Sequence, residues 1–391
     1  MPLRVLNVIT RLNIGGATPV VLALADGLQR RGHTALVVAG RPQPSEGNRV
    51  DEARARGIEV VEVPTLRRNP HPADDVRTLW ALRDLYQHWR PDVVFTHMSK
   101  AGALGRLVGW WSGVPTVHTY HGKGFDVFSG PGRAVTLALE RRLARLGAAS
   151  VVVSDIQREE FLALGIGSPA RLRTIRVGVH LAPFVAASAA AASGDRPLRA
   201  ALGLPADAVL LGVVGRVVAI KGHAYLLRAC AALAAARPHL HLAVIGDGDA
   251  RAEVEALSRR LGLEARVHFL GWRADIPALT ASLDLVVVPT AMDFEGVPLS
   301  VIEAQAAARP VIATRVGGVA DTVHDGETGW LVPPRDAAAL SATIDRVLDA
   351  PATATAVGLR AQAHVQRLFG VDRFIDETER LLWDVVHRPT R

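Results

Sequence analysis

The 391-residue sequence is 49% hydrophobic with a mean hydropathy of +0.20, which supplies two cores of ordinary domain size. Its net charge of +7 and pI near 10.3 suit an anionic partner such as a nucleotide diphosphate or a lipid headgroup, while the scattered arginines and missing recognition motif argue against nucleic acid. A lone cysteine, Cys230, excludes an internal disulfide and fits a reducing cytosol, and no uncharged apolar run reaches spanning length, so any membrane association is expected to be peripheral.

In chain order, LRVLNVI reads as a first strand rather than a charged-then-apolar leader. Val- and Ile-rich runs then alternate with longer helical patterns, the signature of parallel sheets with crossover helices. The first half offers strands near residues 5–8, 34–38, 58–63, 92–96, 116–120, 150–153 and 173–177. Residues 186–194, rich in alanine and serine, read as a linker before Asp195-Arg196-Pro197. A second series follows near 209–214, 240–245, 267–270, 283–288 and 310–314. The expected architecture is α/β, with two Rossmann-like domains over residues 1–186 and 198–370 facing across a cleft, and a last helix from 371.

Several stretches carry chemistry. Gly15-Gly16 follows the first strand where a helix should begin, so backbone can approach a ligand and the helix start favours phosphate; a tight turn needs the same residues. In THMSKAGALGR, Lys100 and Arg106 flank Gly102 and Gly105, which suit close packing. VHTYHGKGFDVF places His118 and His121 at a strand end, followed by Phe125, Val127 and Phe128 in a glycine-studded loop. Arg133, Arg141, Arg142 and Arg145 come next among apolar residues, a mixture that fits either an anionic membrane surface or a solvated amphipathic helix. GVVGRVVAIKGH puts Arg216 and Lys221 directly after a strand, a pair that can neutralise a diphosphate or simply be a solvated surface feature. IGDGDA lacks the third glycine of a dinucleotide loop. Its Asp247 and Asp249 read as a turn with Asp249 capping the next helix, so no metal is expected.

The densest signal is PTAMDFEGVPLSVIEAQAAARPVIAT. Glu295 closes a loop, and Gly296, Val297, Pro298, Leu299 and Ser300 are expected to form the first helical turn. Pro298 suits that place because its missing N–H would be unpaired there. The remaining amides and the helix dipole make an anion site. Glu303 lies eight positions beyond Glu295.

This Glu-x7-Glu arrangement resembles the retaining glycosyltransferases of family 4, and the likeness extends over nearly the whole chain. It implies the GT-B fold, with the terminal helix crossing back onto the first domain. It implies that Arg216 and Lys221 hold a nucleotide diphosphate, that Glu295 faces the donor sugar and that Glu303 faces the ribose. The His-Gly step assigns His121 to the sugar's primary hydroxyl near the reacting centre. Gly15 and Gly16 face the distal phosphate and sugar, and the GWRADI loop with Arg273 holds the base. No metal or cofactor is implied. The Lys-Ala-Gly…Gly-Arg run from Lys100 resembles the subgroup that builds capsular and lipid-linked glycans. The sequence departs from the family at Ala17-Thr18-Pro19, at Arg309, where a glycine is usual, and at Asp321, where glutamate is commoner.

The resulting expectation is a retaining transferase using a UDP sugar and a lipid-linked glycan acceptor. It would be cytoplasmic and peripheral on the inner face of the membrane, with Lys100, Phe125, Phe128 and Arg133 as acceptor or membrane contacts. A sugar-nucleotide epimerase of the same fold and a transferase with a soluble acceptor are the alternatives. A phosphorylase would need a pyridoxal-phosphate lysine, for which no candidate appears. A non-catalytic relative would be expected to lose Glu295, Lys221 or His121, and all three are present.

Overall fold

The computed structural model describes residues 2–43, 46–293 and 296–387. Two compact units result, one formed by Met1–Gly178 with Val371–Arg391 and the other by Val179–Gly370.

The first unit runs β1 (Arg4–Arg11), α1 (Ala17–Arg30), β2 (Thr34–Gly40), α2 (Val50–Ala55), β3 (Glu59–Glu62), α3 (Pro72–Trp89), β4 (Val93–His97), α4 (Ser99–Ser112), β5 (Thr116–Tyr120), α5 (Gly130–Leu146), β6 (Ala149–Val152), α6 (Asp155–Ala163) and β7 (Leu172–Thr174). Its strands form one parallel sheet in the order β3-β2-β1-β4-β5-β6-β7. The central strands are buried on both faces, which is why they read as continuous apolar runs. Connections run one way from β1 to β3 and the other way from β3 to β7. Right-handed crossovers therefore put α1 and α2 on one face and α3 to α6 on the other.

The small residues of α4 make close approach possible. A Cβ at Gly102 would sit 2.3 Å from the His118 ring, and one at Gly105 2.6 Å from Thr96. Arg106, between them and the outer helices, is fully buried and donates to the Gly102 carbonyl, the Tyr120 hydroxyl and Glu140 (2.9 Å).

The second unit continues with α7 (Ala182–Ala192), α8 (Pro197–Ala201), β8 (Val209–Val214), α9 (His223–Leu233), β9 (Leu240–Ile245), α10 (Arg251–Arg260), β10 (Val267–Gly271), α11 (Ile276–Ala281), β11 (Leu285–Val288), α12 (Leu299–Ala306), β12 (Val311–Thr314), α13 (Val319–Thr322), β13 (Trp330–Val332), α14 (Ala337–Leu348) and α15 (Pro351–Leu368). Its parallel sheet has the order β10-β9-β8-β11-β12-β13. The expected linker over 186–194 is instead most of α7, which packs on α11 and α12. Alanine favours helix, and Phe184, Ser188 and Ala191 fall on one buried stripe. The break between units therefore lies after Gly178 rather than after residue 186.

The last helix, α16 (Val371–Val386), belongs to the first unit. Its buried stripe through Phe374, Ile375, Thr378, Leu381, Leu382 and Val385 has helical spacing. Ile375 fills the space over Gly27 of α1, and Glu379 accepts from Arg31 (2.5 Å) and pairs with His33 (2.9 Å).

Candidate functional site

Ligands of open parallel sheets gather beyond the carboxyl ends of the strands where the winding direction reverses. In the second unit that point lies between β8 and β11, and in the first between β1 and β4. Gly15, Gly16 and His121 lie near the reversal of the first unit, and Lys221 and Ser300 near that of the second.

In the second unit, Gly215 (φ +142°) turns the chain out of β8. Arg216 follows, and Lys221 ends a 3-10 turn at Ala219–Lys221. Gly222 (φ +72°) then starts α9, and a Cβ there would lie 1.9 Å from the Pro289 carbonyl oxygen. Only glycine permits that contact. The Ala291 amide donates to the Ile220 carbonyl (2.8 Å), tying this loop to the one after β11. A small cavity results, lined by Gly215, Lys221, His223, Pro289, Thr290 and Ser300.

Helix α12 begins at Leu299, with Pro298 as an extended N-cap (ψ 121°). Gly296, Val297 and Pro298 therefore precede the helix instead of forming its first turn. Proline's locked φ serves the cap equally well. The amides of Leu299 and Ser300 carry the helix start, and Ser300 opens onto the cavity. Glu303 is half-buried on the same helix. Glu295 lies outside the described residues. The Gly318 amide donates to the Gly296 carbonyl (3.0 Å) and the Gly317 amide to Asp293 (2.5 Å), so the glycine pair after β12 braces this approach.

His223, in the same motif as Arg216 and Lys221, carries no signal of a role in the sequence and begins α9. It is 4% exposed, and neither ring nitrogen has a hydrogen-bond partner among the described residues. Burial, then the Lys221 charge, lowers its pKa to about 4. A neutral ring thus offers one donor and one acceptor to the cavity.

Arg273 sits on the surface beside Trp272, bidentate to Asp275 (2.8 and 2.6 Å). Its loop meets the end of β9, where the Gly246 amide donates to the Gly271 carbonyl (2.9 Å). Asp249 does not cap α10. Ala250 holds the N-cap position, and Arg251 bridges Asp247 and Glu255 (2.7 Å each). The left-handed residue before Pro310 is Ala308 (φ +52°), so the position demanding glycine is 308 and not Arg309, which donates to the Leu283 carbonyl (3.2 Å).

In the first unit, Gly15 and Gly16 directly precede α1, and Gly16 is its N-cap. The loop is pinned from below. Ile14 donates its amide to the Glu46 carbonyl (2.9 Å), and the Glu46 carboxylate pairs with Arg11 (2.8 Å), both side chains 7% exposed. Across the winding reversal, β4 ends in His97, which is 1% exposed. His97 Nδ1 lies 3.2 Å from His121 Nε2, and its Nε2 lies 3.5 Å from Asn7 Oδ1.

Burial lowers the His121 pKa to about 4, and burial, then His121, holds His97 well below the usual histidine value. Two neutral rings share one hydrogen bond, so one must donate and the other accept. With Asn7 Oδ1 accepting from His97 Nε2, His97 Nδ1 accepts from His121, which leaves His121 Nδ1 a bare acceptor. A flipped Asn7 amide reverses the whole chain. His118, by contrast, is a core residue. Its Nδ1 is 2.9 Å from the Thr96 hydroxyl and its ring stands edge-on to Tyr120 at 4.3 Å. His97 ends a strand in sequence, but its link to His121 needs the β4–β5 pairing and was not legible.

The residues expected at an acceptor or membrane contact are rearranged. Phe125 is 3% exposed and packs on Phe161 at 5.4 Å, because the turn after β5 folds it inward. Arg133 lies over that ring and pairs with Asp126 (2.6 Å). Lys100 is held by Asp75 and the Asn69 carbonyl (2.5 Å each), so its charge fixes α4 to the start of α3 rather than meeting an acceptor. Phe128 is exposed.

Two family models match the chain: "Glycosyl transferase 4-like domain" over residues 15–178 and "Glycosyl transferases group 1" over residues 208–350. Among similar proteins, the D-inositol 3-phosphate glycosyltransferase of Kineococcus radiotolerans is 32% identical over 90% of this chain and 86% of its own length. That of Saccharomonospora viridis is 32% identical over 71% of this chain, a match spanning 66% of that protein, just under two thirds. An Escherichia coli UDP-Gal:alpha-D-GlcNAc-diphosphoundecaprenol alpha-1,3-galactosyltransferase is 30% identical over 73% of this chain and 74% of that protein. Among solved structures, the HepE protein of Anabaena in complex with UDP and glucose superposes with a TM-score of 0.80 at 22% identity, covering 97% of this chain and 99% of that one. With its two parallel-sheet Rossmann-like units the chain has the GT-B fold, and it belongs to the glycosyltransferase family of group 1 and 4-like domains.

Proposed function

We propose that the protein is a retaining, metal-independent glycosyltransferase that takes its sugar from UDP and delivers it to a lipid-linked acceptor in polysaccharide assembly. The observation that carries this reading is the cavity at the winding reversal of the second unit. Lys221, the unpartnered ring of His223, Ser300 and the start of α12 converge there. That set suits a diphosphate: cations from Arg216 and Lys221, amide donors from Leu299 and Ser300, and a neutral imidazole donor. As the bond between the sugar and the diphosphate breaks, charge builds on the leaving oxygen, and on this reading these groups stabilise it. Supplying that charge is the task a divalent cation would otherwise perform.

Glu303 is assigned to the ribose and Glu295 to the donor sugar. In the first unit, Gly15, Gly16 and His121 are assigned to the sugar end, where a neutral histidine with one committed nitrogen suits a hydroxyl. Arg273 and its loop are assigned to the base. UDP as the nucleotide is supported by the complex of the structural neighbour in Anabaena.

The acceptor has two readings. The Escherichia coli relative acts on a diphosphoundecaprenol substrate, which supports a lipid-linked acceptor. The inositol phosphate relatives support a soluble one. Radiolabelled UDP-sugars offered with an undecaprenyl-diphosphate sugar or with inositol phosphate separate them: transfer into the organic phase supports the first, and product confined to water overturns it. Glu303→Gln should weaken nucleotide binding, because a ribose contact serves ground and transition states alike. Glu295→Gln should depress turnover more than UDP affinity.

A further inference from the structure

The large apolar side chains left exposed are not scattered. Among the described residues, all but Trp272 and Leu359 lie on α3, α4, α5 or the turn before α5, and the crossover rule puts those helices on one face of the first sheet. At its centre Trp80 of α3 and Trp111 of α4 meet edge-on with ring centroids 5.4 Å apart. The Arg83 guanidinium covers both rings, at 5.2 and 4.6 Å. Trp110 is 66% exposed, and Leu107 lies one turn before Trp110 and Trp111 on α4. Trp is the largest apolar side chain, and solvating several together is costly unless something covers them.

Charge narrows what that something is. On these three helices the carboxylates of Asp74, Asp75 and Glu140 are paired with Arg77, Lys100 and Arg106, which leaves Asp84 as the exposed acid, beside His88. Arg141, Arg142 and Arg145 are exposed on α5. The face is thus aromatic and basic together. A second copy of the chain would have to place this patch against itself, since two-fold contacts are self-complementary, and would bring like charges into a dehydrated interface.

We propose that the outer face of α3, α4 and α5 docks on an anionic lipid surface, with Trp80, Trp110 and Trp111 at headgroup depth and the arginines against lipid phosphates. Indole rings prefer the membrane interface, and guanidinium groups bind phosphate in pairs of hydrogen bonds. The contact is broader than the Phe125–Phe128 loop expected from sequence, since Phe125 is a core residue and Phe128 marks only its margin. The docking surface stands apart from the donor assignment, because vesicle binding requires no sugar transfer.

Co-sedimentation of the full chain with vesicles tests it. Phosphatidylcholine vesicles containing phosphatidylglycerol should bind the protein, pure phosphatidylcholine should bind much less, and salt should weaken the contact. Trp110→Ser should reduce binding about tenfold while leaving the melting temperature unchanged, since the ring is mostly in water. Arg142→Glu should reduce it by a similar factor through charge alone, which guards against misfolding as the cause. Equal binding to neutral and anionic vesicles, no binding to either, or binding untouched by both substitutions overturns the proposal. So does a concentration-dependent dimer that Trp110→Ser dissolves, which would assign the face to a second copy.

Discussion

The two winding reversals are built from the same geometry and filled with opposite chemistry. In the first unit, Asn7, His97 and His121 form a chain of neutral groups, and the nearby cations are bound to carboxylates: Arg11 to Glu46, Lys123 to Glu160, Arg106 to Glu140. In the second unit, left-handed glycines at 215 and 222 shape a loop that brings Lys221 to a cavity floored by a helix start. The first arrangement suits hydroxyls and the second suits an anion. One architecture thus carries two chemistries, because the strand ends fix position and the loops fix charge.

The sharpest way to break the contrast is to exchange its terms. Arg106→Leu should cost about 3–5 kcal/mol of stability, because it leaves the buried Glu140 carboxylate without its cation, held by the Tyr120 hydroxyl alone. Its UDP affinity should stay that of the parent if Arg106 is structural. Chemical denaturation and calorimetry on the same variant check both halves. A loss of UDP affinity with stability intact would make Arg106 a donor ligand and erase the distinction.

Acid should find the neutral histidines next. His121 in the folded chain titrates near 4, below its ordinary value of about 6.5. Its contribution is therefore complete above pH 6.5 and is lost as pH falls toward 4, since the unfolded chain binds a proton that the folded one refuses. His97, His118 and His223 shift in the same direction. Stability should fall between pH 7 and pH 5, and His121→Asn should remove about 1 kcal/mol of that fall, a figure reduced for its half-buried ring. Urea unfolding at the two pH values measures it; an unchanged slope in His121→Asn contradicts the neutral assignment.

The smallest effect probes the frame around the second site. Ala308 holds a left-handed conformation at the end of α12, which costs an L-residue about 1–2 kcal/mol. Ala308→Gly should raise stability by roughly 1 kcal/mol, and thermal melting would show it. A lowered melting point would mean that the alanine methyl contributes more packing than its backbone loses.

Most of this frame was legible in the sequence, for reasons specific to particular residues. Parallel strands buried on both faces leave unbroken Val and Ile runs such as LVVV at Leu285–Val288, so both sheets could be read. The loops at Gly15-Gly16 and at Arg216–Lys221 could be placed after their strands because a turn and a charge each leave a local mark. Three features were not legible. The 186–194 stretch looked like a linker because alanine carries no amphipathic contrast, and only its contact with α11 and α12 reveals a buried helix. Phe125 looked exposed because a loop of glycines hides the direction of its turn. The His97–His121 contact depends on strand pairing across 24 residues, which no local pattern reports. The same is true of the aromatic face, whose members are distributed over α3, α4 and α5.

We read the second unit's winding reversal as the receptor for the donor's diphosphate. Isothermal calorimetry of UDP with the full chain, Arg216→Ala and Lys221→Ala tests it most directly. Each substitution should weaken binding by about 1.5–3 kcal/mol, the worth of a charged hydrogen bond, which is roughly tenfold to a hundredfold in Kd. Parental affinity in both variants would contradict the account and move the diphosphate elsewhere.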